Sequence, residues 1–596
     1  MPPQEPTAPD RDAATDPSPA SDPPSAEAVD DRAPIAGLDA PAARPSRFGA
    51  LSHWIAPGVA LAVAVSVTVR AHWHFFAPWP TPVSNDEGYI SALALRMIHG
   101  HWLPYVDGVS QRGPILYWLT AAVMKVFGQS TWVPIRGLAL TLGLSTLGLV
   151  FALTAELSSL FGAGLAALFA TYFLAYELNP WDGIGLNGEV LAAQFVLMAW
   201  YATARAQRSP QGERGPVTRR VGWVTAAGVL SACAGLSKQM SLAHAGPLVA
   251  WLLLGRAHED DTLKDRLRLV ARFALGFVTP YALVVGLYAA TGHLREFVYY
   301  YQRYGRDIFM APVTLEAFRG KVREQIDKYL IGITAVTTLG LGVTAATVRR
   351  MVDEEGPWID RLRRDAPALV TLAQVLAAAL GACFTGRFFP HYFVQVFPIA
   401  AVMAGVAAGH HFDLHAKRWK GALAGAMVLV LGVSALLGVG ASALARNVKT
   451  RRESDRWYQN PREDPIVRYV VERTQPGEKV FVWGFRAETH VSSGRLPASR
   501  FVYSVYPSGV VPWFPSTRAE EEARQVPGAR QQLLEDLERE RPELVIDAGR
   551  SMSGRYMYNY PVLRAYLDRN YCFMRYVDGE PVYRRRRGDH CPPADY

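Results

Sequence analysis

Charge and cysteine are both scarce in this sequence. Asp, Glu, Lys and Arg make up only 19% of the 596 residues, and four residues are Cys. No CxxC pair occurs, so nothing points to a zinc or redox centre. Cys233 and Cys383 fall in apolar stretches as packing residues, whereas Cys572 and Cys591 are placed to pair if their part of the chain is extracytoplasmic. Residues 1–46 lack aromatic residues and hold 11 prolines, too little apolar surface to offset the entropy of ordering. That segment reads as a disordered cytoplasmic tail, and it lacks the basic start and apolar stretch of a cleavable signal peptide.

What is abundant is apolar sequence, 50% of the chain, gathered between residues 54 and 444 into blocks of roughly 20 residues, each able to cross about 30 Å of hydrocarbon. Candidate spans run near 54–69, 133–155, 162–178, 187–204, 221–234, 239–254, 270–290, 329–348, 367–385, 391–408 and 421–444, which makes 11. An ordinary soluble enzyme is thereby excluded. The segments 205–220, 256–272, 349–364 and 410–420 carry 18 Lys and Arg, and the alternate loops 179–188, 235–239 and 386–391 carry two. Basic loops stay cytoplasmic, so the N-terminus is expected inside and the C-terminus outside. The net charge of +9 follows from those loops and implies no nucleic acid.

The expected organisation is a tail at 1–46, a membrane domain at 47–445 with an outer loop at 73–132, and an extracytoplasmic domain at 446–596. In the outer loop, Ile90, Leu93, Leu95 and Met97 lie among polar residues as in an interface-lying helix. Residues 114–127 suit a helix against the bundle, and Trp73, Trp79, Trp102, Trp118 and Trp132 suit the membrane surface. Beyond 446, "KVFVWG" (479–484) and "ELVIDA" (543–548) read as buried strands, and 516–541 as a helix stopped by Pro542. "PVYRRRR" reads as an edge strand followed by a solvated basic run. The fold class is a polytopic all-α membrane bundle of about 11 helices with a small α/β C-terminal domain.

Asp86 and Glu87 stand just beyond the first span. A carboxylate there is placed to take a proton from a hydroxyl nucleophile, to hold a cation or sugar hydroxyls, or to cap a helix starting near Tyr89. Arg112, before Gly113–Pro114, suits a lipid phosphate, as it also suits unspecific snorkelling to headgroups. Glu189 opens an apolar helix behind Asp182, a place where carboxylates face a cavity, an ion-pair partner or a cap. Lys238 is a cation at an outer helix end. Arg387 and His391 share the turn "GRFFPHYFVQVFP", and Tyr299, Tyr300, Tyr301, Arg303 and Tyr304 form a second aromatic-basic run, each a cavity wall or an interfacial belt. A divalent cation is compatible with the carboxylates, but no ligand cluster demands one.

Together, "NDEGYISALALRMIHGHWLPYVDGVSQRGPILYWLTAAVMKVFG", "VPIRGLALTLGLSTLGLVFAL" and "RFFPHYFVQVFPIAAV" resemble the multispan glycosyltransferases that use polyprenyl-phosphate sugars, a GT-C fold. The similar branch holds the dolichyl-phosphate-mannose protein mannosyltransferases and the aminoarabinose transferase of lipid A. The resemblance covers about residues 54–445 and is strongest in the first outer loop. Arg112–Gly113–Pro114 stands where that family more often has Lys-Pro-Pro, Glu189 where Asp is commoner, and Lys238–Gln239 where Lys-Gly is usual. It implies Asp86 as general base, Glu87 as an orienting or metal-contacting neighbour, and Arg112, Glu189, Lys238, Arg387 and His391 as donor or phosphate contacts. It also implies a polyprenyl-phosphate-linked sugar donor, a lipid, glycan or protein acceptor, and a bacterial inner-membrane location. A lipid-linked-sugar flippase and a noncatalytic envelope assembly protein are the competing readings.

Overall fold

The computed structural model describes residues 47–73, 75–76, 80–82, 84–178, 180–207, 217–255, 262–306, 314–328, 347, 351–352, 356–416, 460–511, 516–588 and 590–591. The expected tail at 1–46, the 421–444 span, nearly all of the 329–348 span and the boundary at 445/446 lie outside them.

The apolar blocks fold as helices α1 (Arg47–Trp73), α2 (Asn85–Ile98), α3 (Pro114–Phe127), α4 (Val133–Leu157), α5 (Leu160–Tyr172), α6 (Gly188–Gln207), α7 (Val217–Ser237), α8 (Ala245–Leu254), α9 (Leu263–Ala290), α10 (Ala366–Cys383) and α11 (Val396–Ala416). Among the described residues five helical stretches are long and apolar enough to cross a membrane: 55–73, 133–157, 263–290, 366–383 and 390–409. The chain is thus mostly helical, with several membrane helices.

Two kinds of surface distinguish these helices. Along α9, Leu267, Leu275, Val278 and Leu283 are all more than half exposed, a stripe that water would penalise and lipid would not. Its polar start is fixed by a capping box, in which Thr262 Oγ1 accepts the Asp265 N–H and the Asp265 carboxylate accepts the Thr262 N–H. Where helices instead meet each other, small residues let backbones approach. A Cβ on Gly162 of α5 would stand 2.3 Å from the Gly405 carbonyl oxygen of α11, and one on Gly405 would stand 2.5 Å from that of Gly162.

The α/β part continues with α12 (Pro465–Arg473), β1 (Lys479–Gly484), α13 (Glu488–Ser493), β2 (Leu496–Pro497), α14 (Ala529–Glu540), β3 (Leu544–Ala548), α15 (Pro561–Asn570), β4 (Tyr571–Val577) and β5 (Glu580–Arg585). The sheet order is β2-β1-β3-β5-β4. β1 is parallel to β2 and β3, with Val482 opposite Ile546, and β5 is antiparallel to both β3 and β4. The apolar runs form strands because both faces are covered. The helix expected over 516–541 is divided into Arg518–Arg524 and α14 by Pro527 and by Gly528, whose φ is +75°. The "PVYRRRR" segment is not an edge strand: β4 pairs outside it, and Arg584 Nε donates to Glu543 at 2.9 Å. Cys572 on β4 is disulfide-bonded to Cys591, with Cα atoms 5.7 Å apart.

α2 does not lie on a membrane surface. Every residue from Glu87 to Ile98 except Arg96 is buried, because the α/β part covers its second face. Arg96 donates to the Pro497 carbonyl at 2.7 Å, the Val109 N–H donates to that of Arg500 at 3.0 Å, and Trp132 Nε1 donates to Ser492 at 3.1 Å. The segment 84–132 is therefore clamped between the helices and the sheet.

Candidate active site

α2 begins under its own cap. Ser84 is extended, and its Oγ accepts the Glu87 N–H at 3.2 Å, so neither Asn85 nor Asp86 performs that task. The two adjacent acidic residues then diverge. Glu87 is wholly buried, paired with Arg136 of α4 and accepting the Leu186 N–H at 2.5 Å. It binds α2, α4 and the chain leading into α6 together. Asp86 keeps a quarter of its side chain exposed and meets Arg112 at 2.6 Å.

Arg112 is delivered by the turn into α3. The Gly113 N–H donates to the Ser237 carbonyl at 3.2 Å, and a Cβ on Gly113 would fall 1.9 Å from the Leu236 carbonyl oxygen. Only glycine allows that approach. It brings the residue after Ser237, Lys238, into the same region as Arg112. Lys238 Nζ lies 2.7 Å from Glu189 at the buried start of α6 and 4.9 Å from the centre of the Tyr392 ring. Arg112 lies over the Tyr89 ring at 5.5 Å, and its Nε makes no hydrogen bond.

His391 closes the group. Its Nε2 is 3.9 Å from Asp86 and 3.9 Å from Glu189, and its Nδ1 is 3.7 Å from Asp182. Lys238 and His391 sit at the starts of two short 3-10 turns, Gln239–His244 and Pro390–Gln395, which are joined where Ser241 Oγ donates to Gln395 at 3.0 Å. Three carboxylates, two permanent cations and one imidazole thus converge. Arg387 carries its charge beside Tyr392 and Tyr304 and within range of Arg524 in the α/β part. Among the described residues no group of three or more His, Cys, Asp or Glu is arranged to hold a metal ion.

The electrostatics follow from this packing. Burial alone raises the Asp86 pKa, but Arg112, His391 and Lys238 outweigh it and bring it to about 2. Sequence reasoning missed the wall above it. Tyr503 stacks on Tyr89 with ring centres 4.4 Å apart and donates to the Asn85 carbonyl, while Tyr506 donates to Gln111 Oε1 at 2.8 Å. Burial, with Asp86 and Glu488 nearby, pushes the Tyr503 phenol well up, so it remains a hydrogen-bond donor. "FVYSVYPSG" has no local pattern that names a partner so distant in the chain.

Residues 111–284 match the family model for dolichyl-phosphate-mannose-protein mannosyltransferases, a stretch that holds Arg112, Arg136, Glu189 and Lys238. Among solved structures the chain resembles ArnT from Cupriavidus metallidurans bound to undecaprenyl phosphate. The TM-score is 0.53 and the identity 16%, over 90% of this chain and 99% of that one. The apo state of the same protein gives a TM-score of 0.52 at 16% identity, over 90% and 98%. It has a GT-C fold.

The Archaeoglobus fulgidus oligosaccharyltransferase tethered to an acceptor peptide is similar at a TM-score of 0.51 and 14% identity, over 91% of this chain and 75% of that one. No curated protein matches the chain in sequence. The resemblance read from the first outer loop therefore meets a family-model match and a shared architecture, that of GT-C glycosyltransferases with polyprenyl-phosphate-linked sugars. Asp86, Glu87 and His391 fall outside the matched 111–284 stretch. Their grouping, or in Glu87's case its separation, rests on the geometry alone.

Proposed function

We propose that this protein transfers a sugar from a polyprenyl-phosphate donor to an acceptor hydroxyl on the outer face of a bacterial cytoplasmic membrane, with inversion at the anomeric carbon. The observation that carries this reading is the convergence of Asp86, Arg112, Glu189, Lys238 and His391 on one spot of the first outer loop. ArnT with the same fold binds undecaprenyl phosphate, and a guanidinium with an unused Nε beside an ammonium suits such a group. The Cys572–Cys591 disulfide and the 18-to-two charge bias support an outer location for the α/β part.

In the resting site Arg112 neutralises Asp86 and keeps it a weak base. A donor phosphate competes for Arg112 and releases the carboxylate. Asp86 then takes the acceptor proton as that oxygen bonds to the anomeric carbon, and the bond from that carbon to the phosphate oxygen breaks on the opposite face. The electron pair leaves with the polyprenyl phosphate, where Arg112 and Lys238 meet the charge. A preorganised donor of this kind is worth about 2.7–4 kcal/mol. Glu189 and His391 hold Lys238 and the donor hydroxyls in place, and Glu87 acts as a positioning residue through Arg136.

The test is product analysis after purified protein is incubated with undecaprenyl-phosphate sugars and membrane acceptors. A new glycosidic product supports transfer. A donor moved between leaflets without bond cleavage identifies a flippase, and neither outcome leaves an assembly protein. Asp86→Asn is expected to abolish product while preserving abundance and donor binding; near-normal transfer by it removes Asp86 from the role of base.

A further inference from the structure

A concavity opens at the π-helical turn Val298–Arg303 that follows α9. It has a volume of about 630 Å³, and its walls include Arg295 and Glu296 from the helical turn Leu294–Phe297, Tyr299, Tyr300 and Arg303 from the π-helical turn, and Gln532 from α14. That size falls within the range of about 300–1,000 Å³ usual for small-ligand sites, and it exceeds a single pyranose ring. Tyr299 and Tyr300 stand edge to face, 5.0 Å apart at 85°, so the buried Tyr300 ring backs the half-buried ring of Tyr299. The inner wall leads toward the chemistry. Tyr300 meets Tyr506 edge-on at 6.0 Å, and Tyr506 donates to Gln111, the neighbour of Arg112.

We propose that this cleft holds the body of the acceptor and that the acceptor is a saccharide chain, neutral or weakly acidic. Its role as acceptor subsite rests on the transferase reading above. Aromatic faces suit the apolar faces of sugar rings, while Arg, Glu and Gln side chains offer both donors and acceptors to hydroxyls. Two arginines against one glutamate tolerate an occasional carboxylate on the ligand. The segment after α9 therefore supplies most of the acceptor contacts, and the α/β part closes the opposite wall with Val526, Pro527 and Gln532.

The experiment uses the full-length protein in nanodiscs, titrated with mannotetraose and tetragalacturonate and followed by saturation-transfer NMR, with undecaprenyl phosphate titrated in parallel. Wild type is expected to bind tetragalacturonate and, more weakly, mannotetraose. Tyr299→Ala combined with Arg303→Ala, a half-buried and an exposed residue, is expected to weaken both by about tenfold while leaving undecaprenyl phosphate binding unchanged. Wild type that binds neither saccharide, or a double variant that binds them as well as wild type, overturns the cleft. Saccharide binding that persists in a protein unable to bind undecaprenyl phosphate or transfer sugar upholds the cleft and overturns the transferase reading instead.

Discussion

Asp86 and Arg112 are held 2.6 Å apart by two unrelated devices, the Ser84 cap that starts α2 and the Gly113 contact that docks α3 against the end of α7. The pair sets the base strength of the site. With Arg112 as its leading counter-charge, Asp86 stays ionised down to about pH 2.

Arg112→Gln removes that counter-charge, leaving His391 and Lys238 alone to oppose burial. The Asp86 pKa rises as a result. A base is active in its deprotonated form, so the acid limb of kcat/KM moves upward in pH, into a range where wild type is flat. Donor affinity is expected to fall by about tenfold or more as well. An acid limb that stays in place in the variant shows that Arg112 does not tune the base.

Glu87 and Arg136 are both fully buried, and each has the other as its counter-charge. Removing one partner leaves a charge buried alone, at about 3–5 kcal/mol. Glu87→Gln is expected to lower the thermal unfolding midpoint and the abundance sharply, with activity per folded molecule largely kept. Glu87→Leu combined with Arg136→Met is expected to recover much of the loss. A Glu87→Gln protein of normal stability but without transfer places Glu87 in the chemistry instead.

That divergence of neighbours marks where sequence stopped being legible. The acidic pair, the arginine before Pro114 and the charged helix ends were visible because charges are rare beside apolar spans. The partners were not, since Glu87, Arg136 and Leu186 meet only in three dimensions. α2 looked amphipathic, and Ile90, Leu93, Leu95 and Met97 are indeed its apolar residues, but Ser91, Ala92 and Ala94 are covered too because the α/β part lies over them. The strands at 479–484 and 544–548 were readable as short apolar runs with both faces covered. β5 was mistaken for an edge because its outer neighbour β4 exposes Phe573 and Tyr576 and lacks a clean alternation.

Tyr503 offers a test of that covering part. Its ring stacks on Tyr89, and its hydroxyl donates to the Asn85 carbonyl, one residue before Asp86. Tyr503→Phe keeps the stack and is expected to reduce kcat by only a few fold. Tyr503→Ala frees the start of α2 and is expected to cost about 100-fold, the scale of a 1 Å misplacement. Equal rates in wild type and Tyr503→Ala confine the α/β part to a role away from the base.

Asp547 on β3 gives a pH signature independent of catalysis. Its Oδ1 accepts the Met557 N–H at 2.7 Å, its Oδ2 is buried without a hydrogen bond, and burial raises its pKa to about 7, with Glu580 likewise near 7. Between about pH 4 and pH 7 the folded protein keeps a proton that the unfolded chain gives up, so this group's contribution to stability falls as pH rises through that window. The rise from 3.8 to about 7 corresponds to about 4 kcal/mol. Asp547→Asn fixes the neutral form and is expected to slow hydrogen exchange of β3 in the full-length protein at pH 8. After correction for intrinsic exchange, it should make little difference at pH 5. Protection that differs from wild type by the same factor at both values shows that Asp547 does not carry the titration.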